Sequence, residues 1–307
     1  MKMDIKMIIE DTKFGYTVKN CNYSEIDAKR IKQLIGDGRF VVIKNERPVD
    51  SNLLVDFYSS IGDVVKQNPD KVSACVEGSD GYLVKAGKGK LFSGKEDGEL
   101  EWHCAGMNRS QGDDIVAMYM AISTTEGGNT YFSDSQTAFR DLDDDTKKMC
   151  QGIDAKYLTY TLDENLASEL YKNIFNDAQT MMEFRDIDGN ASYETQVKRK
   201  PLVTTHPISG ASGLYFPWSV IRGFTGLPPQ EQKELYRKLK KHTMDEKYVY
   251  EHKWDPYDIV LSDQHHSLHR RDAYDGYREL WRAGIVLKDQ KSSIEEWSCE
   301  SNVPETA

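Results

Sequence analysis

From residue 115 to residue 287 the chain is a succession of short apolar runs separated by Gly, Pro, Asp and Ser. They fall at 115–122, 130–132, 157–162, 202–205, 214–216, 248–250, 259–261 and 281–287. Runs this short are strands rather than helices, and they do not alternate with long amphipathic helices as a doubly wound parallel sheet demands. Only 136–152 and 229–242 read as helices in this region, both on the surface. A β-sandwich or barrel is the architecture such a pattern permits.

The preceding third is different. Ser24 precedes a stretch with Ile26, Ile31, Leu34 and Ile35 on one face, and Asp27 stands three residues on, where a capping box puts its acid. Gly36-Asp37-Gly38 ends that helix, Phe40-Val41-Val42-Ile43 reads as a buried strand, and Leu54, Phe57, Tyr58 and Ile61 repeat at helical spacing up to Gly62. The expected fold class is therefore α+β. One domain spans 1–290, with polar, patternless 163–200 as an insertion or lid and 291–307 as a weakly ordered tail.

Charge and cysteine usage narrow the functional classes. A formal charge of −10 and a pI near 5.3 disfavour a sequence-independent grip on a nucleic-acid polymer, which needs clustered Lys and Arg. A small or cationic substrate suits the chain better. Cys21, Cys75, Cys104, Cys150 and Cys299 are scattered without a Cys-x-x-Cys pair, so reduced cytoplasmic thiols are expected. Residues 1–10 are broken by Lys2, Asp4, Lys6 and Glu10, and no run approaches a membrane span, so a cytoplasmic protein is expected.

Histidine is scarce, seven in all, yet two stand in chemically suggestive company. One lies in Trp102-His103-Cys104-Ala105; the other closes Asp263-Gln264-His265-His266-Ser267-Leu268-His269, ahead of Arg278 and Arg282. Two histidines and a carboxylate on one face of a metal form the usual site of non-haem iron oxygenases. His206 reads as a strand end, and His242 and His252 as surface positions.

Several pieces in a common order make the chain resemble the taurine/2-oxoglutarate dioxygenase family. They are Phe40 to Lys44, Trp102-His103, Glu126-Gly127-Gly128-Asn129-Thr130, Thr205 to Gly210, Asp258 to Asp263 leading to His269, and Tyr277-Arg278-Glu279-Leu280-Trp281-Arg282. The resemblance implies a double-stranded β-helix, or jelly-roll, core with flanking helices, in a family that is often oligomeric. It also implies Fe(II) on His103 and His269, 2-oxoglutarate held by Thr130 and Arg278 with Arg282 beside it, and O2 as cosubstrate. A planar guanidinium grips a carboxylate through two parallel charge-assisted hydrogen bonds, which suits these arginines to that task.

The chain departs from the family at one point. The family pattern is His-x-Asp or His-x-Glu, whereas Ala105 stands in the carboxylate position. A methyl group leaves an open coordination position and one uncompensated charge, which a chloride ion would fill, as in the iron- and 2-oxoglutarate-dependent halogenases that this substitution resembles. Two alternatives stand beside the halide: a carboxylate recruited from elsewhere, such as Asp113, Asp114 or Asp263, giving a hydroxylase, and a site that has lost its metal. Asn108, Arg109, Trp218 and Arg222 fall in segments that border the substrate in related folds. Cys104, between two inward positions, is expected to point away as an inert thiol.

Overall fold

The structure is a computed structural model, and it describes residues 7–20, 23, 27–66, 75–87, 98–105, 113–124, 126–159, 196–287 and 299–300. Strands β1 (Ile8–Asp11) and β2 (Tyr16–Lys19) form an antiparallel hairpin, and α1 (Ala28–Asp37) carries the chain over to β3 (Phe40–Ile43), parallel to β2. The cap of α1 is Asp27 itself, whose carboxylate accepts from the amides of Lys29 and Arg30; the expected cap, Ser24, lies outside the described residues. A capping acid at Asp27 satisfies orphan N–H groups of the first turn directly. Helix α2 (Ser51–Ile61) follows in the same manner, with Asp50 accepting from the Asn52 amide at 2.8 Å.

Beyond α2 come β4 (Asp63–Val64), β5 (Val84–Gly87), β6 (Leu100–His103), β7 (Ile115–Ile122), β8 (Glu126–Gly127) and β9 (Thr130–Ser133). Helices α3 (Ser135–Arg140) and α4 (Asp144–Gln151) replace the single helix expected over 136–152. Asp143 is the reason for the break: its carboxylate accepts from the Thr146 amide and starts a new helix. Next are β10 (Asp154–Thr159), β11 (Gln196–Pro201), β12 (Val203–Thr205), β13 (Ser212–Leu214), β14 (Ile221–Phe224), α5 (Pro229–Thr243), β15 (Val249–His252), β16 (Ile259–Asp263), β17 (His269–Arg271), β18 (Tyr274–Asp275), β19 (Glu279–Val286) and β20 (Cys299–Glu300).

Two sheets carry the site. The larger runs β1-β2-β3-β16-β7-β19-β4, with β5 also on β19, and the smaller runs β15-β9-β17-β6, fully antiparallel. Between them lies an inner core of Phe40, Val42, Val116, Met118, Met120, Val260 and Leu280 from the large sheet and Phe132 from the small one. Phe40 stacks on Phe132 with centroids 5.1 Å apart and on Tyr250 at 4.6 Å, stitching the two faces together. The alternate residues Val41, Ile43, Ile115, Ala117, Tyr119, Ile259 and Leu261 point the other way, onto Ile31, Leu34 and Ile35 of α1 and Leu54, Phe57, Tyr58 and Ile61 of α2. A sheet covered on both faces buries every strand residue, which is why Phe40–Ile43 reads as one continuous apolar run. Each such side chain fully withdrawn from water contributes roughly 1.5–3 kcal/mol. This is the jelly roll expected from the sequence, in an α+β setting.

A third layer packs behind the small sheet. Trp102, Leu214, Tyr215, Phe216, Leu235, Tyr236 and Leu268 form an outer cluster beneath α5 and the sheet β14-β10-β11-β20. Some boundaries differ from the expectation. Of the insertion placed at 163–200, residues 196–200 belong to β11 and pair with β10, while 163–195 lie outside the described residues. Of the tail placed at 291–307, Cys299 and Glu300 pair with β11. His252, expected at the surface, is buried, with Nε2 3.3 Å from the Asp258 carboxylate. Among the described residues no helix is long and apolar enough to cross a membrane.

Candidate active site

His103 ends β6 and His269 opens β17, and the two are direct cross-strand partners with ring centroids 4.3 Å apart. Strand alternation aims them. Trp102, Cys104 and Leu268 turn outward into the outer cluster, so His103 and His269 face inward. Nδ1 of His103 donates to the Glu101 carbonyl at 2.7 Å, which leaves its Nε2 with the lone pair. Nδ1 of His269 is buried with no hydrogen-bond partner. Burial brings His103 down to about 4, helped by the nearby Arg282 and Arg271 and opposed by the bond to Glu101. Burial, His103 and Arg282 push His269 well below the ordinary imidazole range. Both rings are neutral at physiological pH, the form that coordinates a metal ion, and an orphaned imidazole nitrogen beside a second oriented one fits such an ion.

Ala105 lies in the inner core, and its amide donates to Oε1 of Gln264 at 2.7 Å. The Gln264 amide group is tied in turn to the carbonyls of Ser262 and Asp263, so this glutamine clamps the backbone after His103 to the end of β16. Three acids close in sequence or space, Asp113, Asp114 and Asp263, are each held by other groups. Asp113 pairs with Arg282 at 3.1 Å; Asp114 accepts from the Leu287 amide and holds Nε2 of His265 at 2.8 Å. Asp263 accepts from the amides of His265 and His266, and it lies 3.4 Å from Arg39 and 3.2 Å from His206. Burial works against its charge, but His206 and Arg39 hold the carboxyl well below the usual carboxylate range. Among the described residues no group of three His, Cys, Asp or Glu side chains is arranged to hold a metal ion.

A polar cleft of about 270 Å³ is lined by Met120, Gly127, Gly128, Asn129, Trp254 and Arg278 among others. Nε of Arg278 is buried there with no hydrogen-bond partner. Burial and the proximity of Arg271 bring this guanidinium down to about 9, so it stays a cation at neutral pH while lacking an anion. Thr130 accepts from Trp254 Nε1 at 2.8 Å, leaving its own hydroxyl proton to donate. Glycine is required at 128, because a Cβ there would crowd Nε of Arg278 at 3.3 Å and the backbone has φ +71.

The other expected residues divide. Arg282 projects from the inner face of β19 toward the histidines, opposite Met118. Trp218 packs instead in the outer cluster with Trp102, beneath the ammonium of Lys240 at 3.7 Å, so it does not join the histidine pair. Arg222 lies on β14 in the outer sheet, and Asn108 and Arg109 lie outside the described residues. His206, His265 and His266 are buried around Asp263, with His266 Nε2 3.0 Å from the Thr204 hydroxyl. Cys104 points away from the histidines, as alternation predicts; its thiol lies 3.3 Å from the Tyr215 hydroxyl and burial pushes it up to about 11. The roles of Gln264 and Trp254 escaped the sequence reading, as did the pairing of Asp113, considered there only as an alternative ligand, with Arg282. Only Gln264, next to Asp263, carried a positional hint.

Residues 11–283 match the description "Taurine catabolism dioxygenase TauD, TfdA family". The chain belongs to this family. Among its TauD/TfdA relatives is the alpha-ketoglutarate-dependent 2,4-dichlorophenoxyacetate dioxygenase of Burkholderia sp. (strain RASC), 26% identical over 261 residues, or 80% of this chain and 82% of that protein. Another is the (S)-phenoxypropionate/alpha-ketoglutarate-dioxygenase of Sphingobium herbicidovorans, 24% identical over 62% of this chain and 63% of that protein. A taurine dioxygenase from Burkholderia xenovorans has the same fold, with a TM-score of 0.70 at 16% identity over 92% of this chain and 90% of that one.

Proposed function

We propose that this TauD/TfdA member is an Fe(II)- and 2-oxoglutarate-dependent halogenase, which replaces an unactivated aliphatic C–H of a small molecule by C–Cl. The observation that carries the reading is Ala105 beside the His103–His269 pair with Asp113, Asp114 and Asp263 each engaged elsewhere. His103 and His269 would hold the iron, and a chloride would take the position and the charge that a carboxylate normally supplies. Arg278 and Thr130 would hold the distal carboxylate of 2-oxoglutarate, since the buried guanidinium lacks an anion and the threonine retains a free donor. Iron with 2-oxoglutarate and O2 supplies the oxidising power, in the balance R–H + Cl⁻ + H⁺ + 2-oxoglutarate + O2 → R–Cl + succinate + CO2 + H2O. The residues of this chain orient the reactants: the Gln264 clamp fixes Ala105 and the inner core walls the pocket against water.

The test is a chloride titration of the anaerobic protein with Fe(II) and 2-oxoglutarate, following the visible charge-transfer band of the chelate. A band that shifts saturably with chloride is expected. A band indifferent to chloride would make the protein a hydroxylase, as the names of its relatives suggest, and no band would mean a site without iron. Replacing Ala105 with Asp should abolish the chloride response; halide incorporation that survives this change would overturn the proposal.

A further inference from the structure

Two arginines reach the site from the segment that ends in β19, and their surroundings differ. Arg278 is buried without a carboxylate partner among the described residues, whereas Arg282 already has one inside the chain. Arg282 is the cross-strand partner of Met118 and so faces the inner core, where its charge is felt by both His103 and His269. Its Nη2 lies 3.1 Å from Oδ2 of Asp113, a carboxylate with no exposed surface. The chain makes room for that carboxylate: at Gly284, two residues further along the same face of β19, a Cβ would meet Asp113 Cγ at 2.5 Å. A side chain of any size at 284 would expel Asp113 from its place beside Arg282.

We infer that Asp113 is a built-in counter-anion which occupies Arg282, so that the substrate is recognised without a carboxylate or sulfonate at this guanidinium. A guanidinium that already shares its charge with a buried carboxylate has little to gain from a second one, which would bring two like charges together in a low-dielectric pocket. Of the two arginines, Arg278 is then the one left to take an anion. This rests on the reading that Arg278 holds the cosubstrate carboxylate.

The test titrates 13C-labelled propionate and propionamide, a pair matched in shape and differing in charge, into the anaerobic protein saturated with Fe(II) and 2-oxoglutarate, with binding read by NMR. The wild-type protein should bind the two within about twofold of each other. Asp113→Asn should bind propionate at least about tenfold more tightly than wild type, and a further Arg282→Gln should remove the gain, as expected for one charge-assisted pair. Thermal unfolding shows whether the variants fold. The wild-type comparison decides on its own: a tenfold preference for propionate that Arg282→Gln removes would overturn the inference, as would a folded Asp113→Asn with no gain. Repeating the titration on metal-free Arg278→Gln protein reads Arg282 without the iron site. A failed chelate with unselective Arg282 therefore counts against the proposed reaction alone, and a formed chelate with a carboxylate-selective Arg282 counts against this inference alone.

Discussion

A single guanidinium illustrates how local environment sets a residue's task. Arg278 is buried in a cleft that offers it no anion, and a buried charge of this kind is costly until a ligand pairs with it. Arg278→Gln should therefore raise the dissociation constant for 2-oxoglutarate by about 10- to 100-fold, on the order of 1.5–3 kcal/mol for a charged hydrogen bond, measurable by calorimetry on the anaerobic protein. Arg278→Lys should recover only part of the loss, because an ammonium cannot offer two parallel donors. Equal affinities for the lysine variant and the wild type would show that the contact is not bidentate. The histidine pair, Thr130 and both arginines were singled out by residue type and order. Trp254 was not, and Asp113 was read only as an alternative ligand, because each matters through a contact with a residue more than a hundred positions away.

At the scale of elements, turns and caps hold the site's strands in register. Gly127 has φ +73 and lies against the Ala273 carbonyl, which a Cβ would approach to 2.3 Å, so the short β8–β18 pairing that brings Arg278 to the cleft tolerates no side chain there. Gly127→Ala should lower stability by about 1–3 kcal/mol in urea unfolding, with a weaker hold on 2-oxoglutarate in the folded fraction. By contrast, Asp27→Ala removes only the cap of α1 and should cost about 1 kcal/mol while leaving cosubstrate affinity unchanged. A loss of affinity in the cap variant would mean that α1 couples to the site. The helices and most strands of the large sheet follow from apolar periodicity. The split of 136–152 into α3 and α4 does not, because the Asp143 cap overrides a run that is otherwise acceptable as one helix.

Over the whole molecule, a layer of buried polar groups lies between the site and the outer cluster. Lys200 is buried with its ammonium 3.6 Å over the Tyr215 ring, and burial brings it down to about 8, against the attraction of Cys104, Asp114 and Asp263. A cation whose folded value lies below its unfolded value near 10.5 costs stability at pH below 8, and the cost fades as pH rises toward 10.5. Lys200→Met should then be more stable than wild type by up to about 3 kcal/mol at pH 7, and the gap should close between pH 8 and 10.5 in denaturant titrations. A gap independent of pH would mean that burial does not depress the Lys200 ammonium in the folded state. The opposite holds at Asp263, whose low folded value contributes stability that is lost as the pH falls below the ordinary carboxylate range.

The amino-acid sequence by itself determined the two-sheet architecture, since short strands with continuous apolar runs can be buried only between layers, and it placed two histidines, a threonine and two arginines in the order of a TauD/TfdA site. It also showed that Ala105 cannot bind a metal. Tertiary structure alone decided that Asp113, Asp114 and Asp263 are each held by partners distant in sequence: Arg282, His265, and the pair of Arg39 and His206. It likewise put Trp218 behind the sheet rather than in the site, and His252 inside rather than at the surface. Periodicity reports which face a residue takes within its own element. Which charge stands opposite it depends on strand register, and register is a property of the folded sheet.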